Sequence, residues 1–320
     1  MQDLAIHDYF PDASRIIYGG MNLGGGWNTN ALSADDIKQT QEILEHCIAR
    51  KINIIDLADI YTFGKAETVV GEVLKITPRL RDKLIIQSKI GIKLTPEHAV
   101  KQYDLSAQWI KQATEASLSR LGIEQLDILF LHRPDPLMDV DEAGEALERM
   151  HKQGKFKYLA VSNMHAAQVA WLQAAVDFPI IANQLEMSLA HTGFIEETIM
   201  TNIPSQNNNG FARGTLEFCE QQNIQIQAWG SLAQGRFSNK SCAPEDAKTH
   251  KLVKQIANRT STNPNAVVLA WLMKHPLGIQ AVIGSTQTAR IDACLQASKV
   301  ELSREDWYAL LQASRGQEIP

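Results

Sequence analysis

The stretch Ile52-Asn53-Ile54-Ile55-Asp56-Leu57-Ala58-Asp59-Ile60-Tyr61 joins an apolar run of strand length to a carboxylate and sets a phenol five residues further on. The same arrangement recurs along the chain. Leu84 to Gln87 runs into Lys89, and Leu126 to Leu131 stops at His132. Downstream, Tyr158 to Val161 stops at Ser162 and Asn163, Ile180 to Asn183 at Gln184, Ile224 to Ala228 at Trp229, and Ala281 to Ile283 at Gly284. Helix-length segments separate these runs. In a barrel of alternating strands and helices the C-terminal strand ends converge on one mouth, so a single pocket would collect all of these side chains.

Helical spacing fills the intervals. Ser33 followed by Asp36 reads as a capping box that opens a helix ending near Lys51. Strands are then expected at 53–57, 84–88, 126–131, 157–161, 180–184, 224–228 and 280–283. Helices are expected at 66–76, 106–121, 140–152, 166–175, 211–222, 246–260, 264–274 and 288–298. An early strand over Ile16 to Gly19 brings the strands to eight, the count of a closed parallel barrel. The runs are continuous and rich in Ile, Val and Leu, as parallel strands buried on both faces should be. Residues 188–210, with Pro204 and the polar tract Gln206 to Gly210, break the rhythm and read as a long excursion carrying at most a short helix. The expected fold is α/β, a single (β/α)8 barrel domain over 1–320, with its barrel in about 15–300 and a C-terminal segment at 300–320. An open dinucleotide-binding sheet would need Gly-x-Gly-x-x-Gly between strand and helix. Gly24-Gly25-Gly26-Trp27-Asn28-Thr29 fails at its last position.

The chain has 320 residues, 44% of them hydrophobic and 21% charged, with a net charge of −5 and no cluster of Lys and Arg. That balance argues against nucleic acid or an anionic membrane as partner, since both demand a concentrated positive face. Met1 to Ser14 carries Asp3, His7, Asp8 and Asp12 and holds no apolar stretch of signal-peptide length. The longest clean apolar run, Ala266 to Met273, is too short to span a bilayer. Cys47, Cys219, Cys242 and Cys294 are widely spaced, which suits buried free thiols in a reducing cytoplasm.

Asp56, Tyr61, Lys89 and His132 carry the chemistry. A phenol with an ordinary pKa near 10 is a poor proton donor at neutral pH. An ammonium nearby stabilises the phenolate, and a carboxylate holds that ammonium in place. A neutral His132 would orient a substrate carbonyl and share the donor role. Two other readings stand beside this one: Asp56, Asp59 and His132 as metal ligands of a barrel hydrolase, or a binding protein of regulatory type with little turnover.

The ordered set Asp56-Leu57-Ala58-Asp59-Ile60-Tyr61 with Gly64 and Glu67, Lys89, Leu131-His132-Arg133-Pro134-Asp135, Val161-Ser162-Asn163, Asn183-Gln184, Ala228 through Gly235 and Ile283-Gly284-Ser285-Thr286 with Arg290 resembles the aldo-keto reductase superfamily over about residues 15–300. The resemblance implies reversible, NADPH-dependent reduction of aldehydes or ketones, with Tyr61 as proton donor, Lys89 and Asp56 as its tuning pair, and His132 orienting the substrate. It implies no metal. Ser162, Asn163 and Gln184 match positions that hold the nicotinamide carboxamide. Gly20 and Met21 match a cofactor-contacting turn, and Gly230, Leu232 and Gln234, with Ser231 and Gly235 in the same stretch, match the loop over the pyrophosphate. Ser285, Thr286 and Arg290, following Gly284, match the site of the adenosine 2′-phosphate, where hydroxyls, helix-start amides and a guanidinium suit a dianion. Trp229 stands where many members stack a tyrosine on the nicotinamide, Gln287 where a Lys or Arg often assists the phosphate, and Ala293 and Cys294 where adenine contacts are usual. Adenine binding is accordingly expected to be looser, leaving room for NADH. Trp27, Tyr61 and His132 are the expected substrate contacts, rimmed by Phe63 and the excursion. The resemblance implies a monomer.

Overall fold

In the computed structural model, which describes residues 4–94, 100–201, 203 and 210–320, eight parallel strands close into a barrel. They are β1 (Ile16–Gly19), β2 (Ile54–Asp56), β3 (Ile85–Ile90), β4 (Leu126–Leu131), β5 (Phe156–Ser162), β6 (Ile180–Glu186), β7 (Gln225–Trp229) and β8 (Gln280–Ile283). Each strand pairs with its neighbours in sequence, and the ring closes where Ile16, Ile17 and Tyr18 of β1 lie opposite Ala281, Val282 and Ile283 of β8. Around the ring run α1 (Ala34–Ala49), α2 (Lys65–Ile76), α3 (Ala107–Leu121), α4 (Val140–Lys152), α5 (Ala166–Gln173), α6 (Gly193–Ile199), α7 (Thr215–Gln221), α8 (Ala247–Arg259), α9 (Pro264–Met273), α10 (Thr288–Leu295) and α11 (Arg304–Arg315).

Local chemistry explains several boundaries. The Ser33 hydroxyl accepts from the Asp36 amide at 3.2 Å while the Asp36 carboxylate accepts from the Ser33 amide at 2.9 Å, forming the expected capping box at the start of α1. Pro264 opens α9 behind Asn263, whose side chain caps Ala266. Helix α7 begins four residues later than its apolar pattern suggests, because Gly214 takes a left-handed φ of 75° immediately before it. Beyond residue 300 the chain forms α11, opened by a second capping box between Ser303 and Asp306. The excursion carries the short helix α6, while residue 202 and residues 204–209, with Pro204 and Gln206 to Asn209, lie outside the described residues. Among the described residues no helix is long and apolar enough to cross a membrane. All four cysteines are free; Cys242 is only half-buried, and burial pushes the Cys47 thiol up to about 12.

Two apolar layers hold the fold. One lies between strands and helices; the other is inside the barrel, where Ile17, Ile54, Ile128, Phe130, Ala160 and Ala182 meet Leu4 and Ile6 from the chain's first turn. The Ile6 amide donates to Gln225 Oε1 at 3.3 Å, and Tyr9 packs edge-on against Tyr158 at 5.0 Å, so residues 4–13 seal the barrel floor. The expectation of uniformly apolar strands fails in this interior. Gln225, Gln227 and Trp229 of β7 alternate with Ile226 and Ala228, and the Gln227 amide bonds across the ring to Gln87 and Gln184.

Candidate active site

Asp56 ends β2, and Lys89 lies in β3, which runs two residues further than the apolar run suggested. Both are buried, at 2% and 1% exposure. Lys89 Nζ donates to Asp56 Oδ1 at 2.6 Å, to the Leu57 carbonyl at 3.1 Å and to the Tyr61 hydroxyl at 3.2 Å. The loop after β2 delivers Tyr61 through a tight turn in which Thr62 and Phe63 take left-handed φ of 49° and 58°. The Thr62 hydroxyl pins that turn by donating to the Leu23 carbonyl at 2.9 Å. A β-branched residue in this region is strained, and the strain is stored beside the phenol. His132, one residue past β4, turns its ring edge-on to Tyr61 at 6.0 Å between centroids. Four groups from three consecutive strands thus converge as the sequence predicts.

Electrostatics refines the roles. Burial tends to strip the Lys89 ammonium of its proton, but Asp56 and Tyr61 outweigh it and raise the lysine above its ordinary value. For Tyr61 the outcome runs opposite to the expected lowering: burial outweighs the Lys89 ammonium and raises the phenol above 10. The phenol therefore holds its proton at neutral pH. Burial first, then the charges of Lys89, Arg133 and Lys101, hold His132 well below the usual histidine value, so its ring is neutral. His132 Nδ1 is buried without a hydrogen-bond partner among the described residues. Asp59 does not join the catalytic group; burial and Glu67 raise its carboxyl well above the ordinary range.

The predicted cofactor residues form the remaining arc of the mouth. Ser162 donates to the Gln184 carbonyl at 2.9 Å and accepts from Asn163 Nδ2 at 2.7 Å. Asn163, left-handed at φ 59°, accepts the Trp229 indole N–H at 3.0 Å, which fixes that ring across the end of β5. Gln184 is buried, with its amide nitrogen bonded to Asp56 and Gln227. After β7, Gly230, Ala233, Gln234 and Gly235 all have positive φ, and the Ser231 hydroxyl donates to Val282 in β8 at 2.6 Å; Leu232 packs partly buried against the outer core. A Cβ on Gly20 would meet Leu57 at 2.5 Å, so only glycine brings the first loop so close to the end of β2. Met21 beside it is 46% exposed, and Asn22 donates to the Gly284 carbonyl at 3.0 Å. Ser285 and Thr286 are half-buried, while Arg290 is exposed and its guanidinium bonds to none of the described residues. Trp27, 44% exposed, packs edge-on to Phe63 at 5.4 Å over the Tyr61 loop.

The chain matches the Aldo/keto reductase family model over residues 15–315. It belongs to the aldo/keto reductase family. A 6-dehydroglucose reductase of Agrobacterium fabrum is 32% identical over all of both chains, and one of Novosphingobium aromaticivorans is 34% identical over 84% of this chain and 83% of that protein. The crystal structure of an aldo/keto reductase from Klebsiella pneumoniae in complex with NADP and acetate shares the fold, with a TM-score of 0.72 and 24% identity over 96% of this chain and 93% of that one. Within this aldo/keto reductase, sequence reasoning missed Gln87 and Gln227. Each sits two positions before a residue already singled out, Lys89 or Trp229, and period-two alternation alone would have turned both into the barrel.

Proposed function

We propose that this aldo/keto reductase reduces aldehydes and ketones to alcohols with NADPH, and catalyses the reverse oxidation with the same groups. The observation that carries the reading is Lys89 Nζ held between the Asp56 carboxylate and the Tyr61 hydroxyl. Held beside Ser162, Asn163, Gln184 and Trp229, a dihydronicotinamide would supply the hydride for the carbonyl carbon. Tyr61 gives its proton to the carbonyl oxygen, and the phenolate left behind is stabilised by the ammonium 3.2 Å away. His132, neutral and beside Tyr61, orients the carbonyl through a ring nitrogen. Asp56 Oδ1 is already engaged by an ammonium and two amides, which weighs against the metal-hydrolase reading.

Three features support the cofactor. Ser162, Asn163 and Gln184 supply hydroxyl and amide groups beside the indole of Trp229, the right chemistry for a carboxamide and a stacked ring. Ser285, Thr286 and the exposed Arg290 suit a 2′-phosphate. The Klebsiella neighbour was solved with NADP. NADH remains a second substrate at reduced affinity, since Gln287 adds no charge. Two relatives named for 6-dehydroglucose favour sugar aldehydes among the substrates. We further read the chain as one barrel domain, a cytoplasmic monomer with a net charge of −5 and four free thiols.

The test is NADPH oxidation on a panel of simple and polyhydroxylated aldehydes, 6-dehydroglucose included, with Tyr61→Phe alongside. The reading expects a fall of about 10² to 10⁴ in kcat/KM with NADPH affinity unchanged. Equal, near-zero rates for both proteins would favour a regulatory binding role instead.

A further inference from the structure

The barrel interior is divided chemically. One part is apolar, filled by Ile17, Ile54, Ile128, Phe130, Ala160 and Ala182, as is usual for such a core. The part around Asp56 is filled by the amides of Gln87, Gln184, Gln227 and Gln280, none more than 2% exposed. Asp56 Oδ1 accepts from Gln87 at 2.6 Å and Gln184 at 2.9 Å in addition to Lys89 at 2.6 Å. A primary amide has two N–H donors, and Gln87 and Gln184 each use both: one on Asp56, the other on Gln227 Oε1, at 2.9 and 3.0 Å. Gln227 returns a bond to Gln87 Oε1 at 3.1 Å and donates onward to Gln280 at 3.3 Å, which donates to the Ser14 carbonyl at 2.7 Å. Gln227 therefore anchors the second N–H of each of the other two amides. With that acceptor gone, each amide is held on the carboxylate by one donor alone and is free to pivot about that bond.

We propose that Gln87 and Gln227 are positioning residues for the reduction, holding the Asp56 carboxylate in the shared, donor-rich state that leaves Lys89 free to reach Tyr61. The inference rests on Tyr61 being the proton donor. A buried carboxylate demands full hydrogen bonding, and each charge-assisted bond to Oδ1 draws negative charge away from Lys89. Removing a donor concentrates that charge, draws the ammonium toward Asp56 and takes support from the Tyr61 phenolate. The charged or titratable groups facing Tyr61 are Lys89 from β3, Asp56 from β2, His132 past β4 and Asp59 from its own loop. The amides themselves do not titrate, so they bias these groups equally at every pH.

The experiment compares pH profiles of kcat for aldehyde reduction at saturating NADPH in wild type, Gln87→Met, Gln227→Met and Gln225→Met. Gln225 is an equally buried control whose amide bonds Ile226 and Gly278 rather than Asp56. The alkaline limb, where Tyr61 loses its proton, is expected to move up by about half a pH unit in Gln87→Met, and less but in the same direction in Gln227→Met. The limb of Gln225→Met should coincide with wild type, whatever its melting temperature. Coincident limbs in all four proteins would overturn the proposal, as would an equal shift in Gln225→Met. Should Gln87→Met fail to fold, Gln227→Met carries the comparison. Tyr61→Phe separates the two levels: an active Tyr61→Phe sinks the proton-donor reading, whereas unshifted limbs beside an inactive Tyr61→Phe sink only the role of the amides.

Discussion

The half of the mouth built by β2, β3 and β4 differs in kind from the arc built by β7, β8 and β1. In the first, Asp56, Lys89 and the amides behind them satisfy one another in a buried interior, and the loop bearing Tyr61 is pinned by Thr62. In the second, Gly284 and Arg290 are exposed, Ser285 and Thr286 are half-buried, and Gly230, Ala233, Gln234 and Gly235 after Trp229 take left-handed φ. The contrast teaches that the reactive half is assembled by folding alone, whereas the more open arc would, under the proposed function, be completed by the cofactor. Substitutions in the two halves should therefore report in different measurements.

Lys89→Met breaks the contrast most severely. It leaves Asp56 as an uncompensated buried charge, so about 3–5 kcal/mol of stability should disappear in urea unfolding together with activity. A loss under about 1 kcal/mol would mean that the pair is not the internal counter-charge described here. His132 gives a smaller, pH-dependent signature. Its folded value is depressed, so the unfolded chain takes up a proton near pH 6.5 that the folded ring refuses. Stability linked to this group is thus full above about pH 6.5 and declines below it, by at most about 1.4 kcal/mol per pH unit. His132→Gln should flatten that slope between pH 7 and 5, and identical slopes would contradict a neutral buried ring. The smallest effect belongs to the open arc. Arg290→Ala should weaken NADPH binding about tenfold, near 1.4 kcal/mol, while leaving NADH binding and unfolding unchanged. Fluorescence quenching titrations with both cofactors measure it, and equal effects on the two would remove Arg290 from phosphate recognition.

The barrel was legible because its signal is local. Ile54, Ile55 and their counterparts at each strand stand just before a polar residue, and eight such runs with helices between them admit few topologies. Asp56, Lys89, His132 and Tyr61 were legible for the same reason, since strand ends meet in this architecture. What stayed hidden depends on distance across the ring. Nothing in the neighbourhood of Gln227 announces a partner 140 positions away in Gln87. The direction of the Tyr61 shift was hidden too, because it balances one ammonium against burial, and burial is a property of the whole packed mouth. Helix α11 escaped notice although Ser303 and Asp306 repeat the spacing read correctly at Ser33 and Asp36.

The seal at the opposite end of the barrel has its own consequence. With Leu4, Ile6 and Tyr9 wedged beneath the ring, the vessel is one-ended: under the mechanism proposed above, the solvent protons that recharge Tyr61 would arrive from the rim. Loosening that stopper, for instance with Ile6→Ala, would open a back door toward the glutamine layer while leaving every catalytic side chain in place.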